Sequence, residues 1–166
     1  MASIQAAVAP LATTDPDASD TDDLEPLREI VADGRLVGLG ETAHFCAELT
    51  RLRDRIMRFL ATEMGFTTLA LESGLSESLL VDHWLQDGPG ELTTVARDGI
   101  GYGFGRCTEA HDQLRWMRAH NHVGRGPISF VGVDVPGACA DAWPRRRRLP
   151  GSAPVTAGRR RVAPRQ

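Results

Sequence analysis

At 166 residues the chain is long enough for one domain with a sizeable core and too short for two. No window approaches the ~20 apolar residues that cross a bilayer, and the opening stretch MASIQAAVAPLATTDPDASDTDD lacks the basic start and long apolar run of a signal peptide. The formal charge of -3 hides an asymmetry: there is no Lys, eight of the 19 Arg follow Gly137, and residues 1–137 carry 11 Arg against 21 acids, a net of -10 that exerts no long-range pull on nucleic acid or an anionic membrane.

In chain order, residues 1–21 are rich in Ala, Thr, Asp and Pro without a sustained period, which predicts a disordered lead-in. Asp22 and Asp23 cap a helix with Pro26 in its first turn, Leu24, Leu27, Ile30 and Val31 on one face, and Gly34 as its stop. Arg35–Gly40 reads as the first strand. Leu49, Leu52, Ile56, Phe59 and Leu60 recur at helical spacing, so Cys46–Met64 is a helix ending at Gly65. Phe66–Leu71 is a second strand that stops at Glu72. Leu75–Leu85 is helical with Leu75, Leu79 and Leu80 turned inward, and Gly88–Pro89–Gly90 breaks it. Glu91–Arg97 reads as a short helix and Gly99–Arg106 as an irregular, glycine-dense stretch. Thr108 caps a helix through His120 with Ala110, Leu114 and Met117 on its apolar face. Ile128–Val133 is a third strand, stopping at Asp134. Residues 138–166 are Arg- and Pro-rich without hydrophobic period and read as a disordered or frameshifted tail, against the competing reading of a basic tail that binds nucleic acid or a membrane.

Strands alternating with helices, the strands nearly continuous in apolar residues, predict an α/β domain over residues 22–137 with a parallel sheet flanked by helices. Parallel strands bring their carboxyl ends to one edge, where open α/β sheets bind ligands. Glu41 with His44, Glu72 and Asp134 are the polar residues met after the three strands, so all should face one crevice. A carboxylate three residues before an imidazole fixes its tautomer or favours its protonated form, which tunes a general base or a metal ligand. Arg53 falls inside the apolar stripe of the Cys46–Met64 helix, while Arg51, Asp54, Arg55 and Arg58 fall opposite it. A cation on a buried face needs a carboxylate, and Glu41 and Glu72 are the candidates; the plainer reading has Arg53 reaching water or pairing with Glu63.

Other readings are weaker. Gly38, Gly40 and Ala43 fit G-x-G-x-x-A, but Glu41 would repel a pyrophosphate and Glu72 comes later than a ribose-binding acid should. Glu41, His44, Glu72 and Asp134 could ligate a divalent ion, yet one histidine beside an arginine is a poor zinc shell; no metal and no cofactor is expected. No G-x-S-x-G elbow occurs, so a serine nucleophile is unsupported. His83, His111, His120 and His122 read as surface or helix-end residues. Cys46, Cys107 and Cys139 form no CxxC pair, which points to a reducing, cytoplasmic setting.

GETAH, Arg53, GFTTLALE around Glu72, LRWMRAHN and FVGVD together resemble the erythromycin esterase family of macrolide-inactivating hydrolases over roughly residues 23–137. The resemblance implies His44 as the general base that activates water, with Glu41, Arg53 and Glu72 around it, and an ester or macrolide lactone as substrate. The family motif usually has Gly after that histidine, where this chain has Phe45. Family members are more than twice as long and bring a further active-site histidine from their second half, so the resemblance is to an N-terminal part. The alternative is a catalytically inert remnant or a small-molecule- or metal-binding protein.

Overall fold

The computed structural model describes residues 10–41, 43–123 and 126–137. The predicted tail, residues 138–166, lies outside these residues, as do Cys139 and residues 1–9 of the lead-in. Helices α1 (Pro26–Val31), α2 (Ala47–Met64), α3 (Leu75–Leu85), α4 (Leu92–Gly99) and α5 (Thr108–His122) accompany strands β1 (Thr68–Gly74) and β2 (Ser129–Asp134). The fold is α/β. The two strands pair in parallel, with Leu69 opposite Phe130 and Ala70 opposite Val131, and a bulge interrupts the register between Leu71 and Gly74.

Local chemistry accounts for most boundaries. Gly65, in the left-handed region at φ 74°, ends α2, and its N–H returns to the Leu60 carbonyl. Asn121 on α5 accepts the Ile128 N–H at 2.7 Å and donates to the Ile128 carbonyl at 3.0 Å, which fixes where β2 begins. Asp82 on α3 accepts the Phe130 N–H at 2.8 Å, so the side of β2 away from β1 is partly satisfied by a side chain. Trp84, Leu85, Leu114, Met117, Ile128 and Phe130 anchor one core between α3, α4, α5 and the sheet.

Three expectations need correction. Arg35–Gly40 is not a strand: Leu36 is 87% exposed and no ladder forms there. Two glycines in six residues supply neither packing side chains nor backbone stiffness, and a cavity separates this segment from β1. Leu75, Leu79 and Leu80 point outward, at 53%, 63% and 52% exposed, while Ser78, Val81, Trp84 and Leu85 face the core. The helix begins directly after β1, so the strand sets its phase, and a leucine-rich stretch fits either phase equally well. Leu79→Ser is therefore expected to change stability by no more than about 0.5 kcal/mol in chemical denaturation; a loss of several would restore the inward assignment.

The third correction concerns the lead-in. Residues 10–21 are not a free tail but lie along α2, held by two arginines assigned to its solvent side. Arg55 donates to both oxygens of Asp23 at 2.8 and 2.6 Å and to the carbonyls of Thr13 and Asp20. Arg58 donates to Asp17 at 2.6 Å and Asp54 at 2.8 Å. Arg55 and Asp54 are each only 2% exposed, so this part of the face of α2 expected in solvent is covered.

Candidate active site

The turn between residue 40 and α2 carries Glu41, His44 and Phe45, and α2 carries Arg53 two turns in. Arg53 Nη1 donates to Glu41 Oε2 at 3.3 Å, which bears out the expected carboxylate partner, although Arg53 is half-buried, with 18% of its side chain exposed. The other oxygen, Oε1, lies 3.8 Å from His44 Nδ1, an ion-pair separation rather than a hydrogen bond. Among the described residues Glu41 Oε1 and Arg53 Nε have no hydrogen-bond partner. One carboxylate thus stands between a fixed cation and an imidazole, with hydrogen-bonding capacity left on the carboxylate and on the cation.

Glu41, His44, Arg53 and Glu72 all line one cavity of about 690 Å³. Its floor is Met57, Leu60 and Met64 of α2, one wall is the unpaired side of β1, and the other is the segment from Gly34 to Leu39. All four site residues read from the sequence are therefore brought together. Glu72 belongs to β1 rather than following it, because the strand runs to Gly74. Asp134 is not in the lining: it accepts from the Tyr102 hydroxyl and from the Val135 N–H, and the phenol holds its carboxyl below the usual carboxylate range. The expectation of three acids in one crevice fails for this residue.

The irregular, glycine-dense stretch after α4 also reaches the site. Phe104 touches the rings of both His44 and Phe45. Cys107 follows it, and burial, with the Glu109 carboxylate, pushes that thiol up while Arg53 opposes. A protonated thiol is a poor nucleophile. His120, read as a surface or helix-end residue, lies in the last turn of α5 but is buried and stacks on Trp116 with ring centroids 5.0 Å apart. His111 Nε2 hydrogen-bonds the Gly105 carbonyl at 2.9 Å, and His122 lies 3.0 Å from Asp87. Among the described residues no group of three or more His, Cys, Asp or Glu is placed to hold a metal ion, and no helix is long and apolar enough to cross a membrane.

Comparison with known proteins gives this geometry a context. The erythromycin esterase family profile matches residues 61–153, more than half of the chain, and of the four site residues it includes Glu72. Erythromycin esterase type II of Escherichia coli is 36% identical over 115 residues, covering 69% of this chain and 27% of that protein. The type I enzyme of Escherichia coli is 27% identical over 123 residues, covering 73% and 29%. The chain thus spans little more than a quarter of the length of these curated relatives. Among solved structures, a Bacillus cereus protein superposes with a TM-score of 0.68 at 33% identity over 76% of this chain and 30% of its own. A succinoglycan biosynthesis protein superposes with a TM-score of 0.71 at 30% identity, over 79% and 32%. By the span of that profile match, supported by these likenesses, the chain belongs to the erythromycin esterase family.

Proposed function

We propose that this chain carries the water-activating part of a site that hydrolyses a carboxylic ester or macrolide lactone. The observation that supports it is the convergence of Glu41, His44, Arg53 and Glu72 on one cavity. Glu41 faces Nδ1 of His44, which favours the tautomer with its proton there and leaves Nε2 as the basic nitrogen. Nε2 removes a proton from water as the water oxygen attacks the ester carbonyl. Arg53, held by Glu41, supplies positive charge toward the developing oxyanion, and Glu72 across the cavity orients the water. The free thiols of Cys46 and Cys107 fit a reducing, cytoplasmic setting. The test is a chimera in which residues 35–137 of this chain replace the matching segment of the Escherichia coli type II enzyme. Ring-opened, water-added erythromycin in mass spectra supports the reading. A folded chimera that leaves erythromycin intact rejects it.

For the chain by itself a second reading is favoured by one observation: the His44 side chain is 62% exposed. An imidazole in bulk water acts as little more than a buffer, because general-base assistance needs water and carbonyl held together. The isolated chain is expected to hydrolyse neither erythromycin nor an aryl ester above a His44→Ala control, measured by product mass. Turnover that disappears in that control would show that this part alone is a working hydrolase.

A further inference from the structure

We infer that Phe104 is a positioning residue for His44, orienting the imidazole through a three-ring cluster that includes Phe45. The inference rests on His44 being the base proposed above. The His44 ring meets Phe104 edge-on, with centroids 5.4 Å apart and planes at 75°, while Phe45 lies nearly parallel to the same ring at 4.8 Å and 13°. Both are favoured aromatic geometries. Successive side chains normally diverge; here Phe45 is in the left-handed region, φ 57°, and two consecutive residues reach one ring.

Phe104 suits this task because its own backbone is fixed from beneath. Gly105 is pressed so closely on α4 that a Cβ there would lie 1.9 Å from the Ala96 carbonyl oxygen. The His111 ring hydrogen-bonds the Gly105 carbonyl at 2.9 Å. At the start of the stretch, the buried Ser73 hydroxyl donates to the Gly99 carbonyl at 3.0 Å and accepts the Gly101 N–H at 2.8 Å. Phe104 is itself half-buried against the core. His44, by contrast, is exposed and has its carboxylate neighbour only at 3.8 Å. The ring contact therefore restricts the imidazole more than the carboxylate does, and it ties the base to the rigid body of the fold.

Histidine-ring ¹H–¹³C correlation spectra of the full chain test this, with the His44 signal identified by its disappearance in His44→Ala. In the unaltered chain the Phe104 ring current displaces the His44 ring protons from the position of an exposed histidine. Phe104→Leu is expected to abolish that displacement while leaving the His83 and His122 signals in place, and Phe104→Tyr to retain it. Phe45→Gly, at an exposed position that tolerates left-handed backbone, is expected to reduce the displacement and is the deciding variant if Phe104→Leu does not fold. An unchanged His44 signal in the deciding variant overturns the inference. The readout is ring position rather than turnover, so failure of the ring contact is told apart from failure of the hydrolytic reading, which an inactive chimera would show.

Discussion

In the chimera with the Escherichia coli type II enzyme, His44→Ala is expected to lower erythromycin hydrolysis by roughly 10²–10⁴-fold, the usual contribution of a positioned general base. The fall should appear mainly in kcat, because His44 acts on the proton of water and makes no contact that only holds substrate. Glu41→Gln should follow in the same direction by a smaller factor, since the amide keeps the shape beside Nδ1 and loses the charge that steadies the imidazolium. A chimera that turns over erythromycin equally well without the imidazole would remove His44 from the chemistry and leave Glu72 as the remaining candidate base.

The largest stability effect is expected at Arg55 rather than Arg53. Arg55→Leu leaves the Asp23 carboxylate without its counter-ion and the carbonyls of Thr13 and Asp20 without this donor. Removing one partner of a buried pair costs about 3 kcal/mol or more, or a fall in Tm of roughly 10 °C for a chain of this size. Arg53→Leu breaks one 3.3 Å contact at a half-buried site and should cost less. The Arg55 guanidinium holds the Asp23 pKa at about 2, below its ordinary 3.8. Because the folded value is the lower one, Asp23 contributes stability above pH 3.8 that is lost as pH falls toward about 2. Asp54 runs the other way: burial raises it against the pull of Arg58, so its contribution is present below 3.8 and lost as pH rises through the raised value. Urea titrations between pH 2 and 5 check this, and Arg55→Leu should flatten the Asp23 part of the slope. An unchanged slope would mean that Asp23 finds another partner.

What could be read from the letters was what neighbouring letters determine. Gly65 fixes the end of α2, and the spacing of Ala110, Leu114 and Met117 fixes the buried face of α5. Glu41, His44 and Arg53 come together because they sit on one turn and the helix that follows it, and Glu72 joins them from the adjacent strand. The partners of Arg55 and Arg58 lie 32 and 41 residues earlier, Asp23 at a predicted helix cap and Asp17 in a stretch with no periodicity, so spacing on α2 does not point to them. Such an arginine and an ordinary surface arginine look alike until the covering chain is placed. The phase of α3 was illegible for a different reason: leucines occupy both of its faces, and only the join to β1 chooses between them. The direction of Phe104 is not legible because glycine-dense sequence carries no period from which a side chain's orientation follows.

The cavity wall formed by β1 has a second meaning. Among the described residues no strand pairs with β1 on the side away from β2, and the run there, Thr68–Leu71, is uncharged and mostly apolar until Glu72. Such an edge is a template for strand addition by any extended chain of similar character, including the same stretch of a second molecule. Proteins blunt such edges with charge, proline or a covering element. Glu72 is the single charged side chain within β1, so its neutralisation is expected to ease edge-to-edge association, read as a rise in oligomer by light scattering. Its neutralisation would remove a repulsive group from the strand at the same moment that it removed an acid from the cavity.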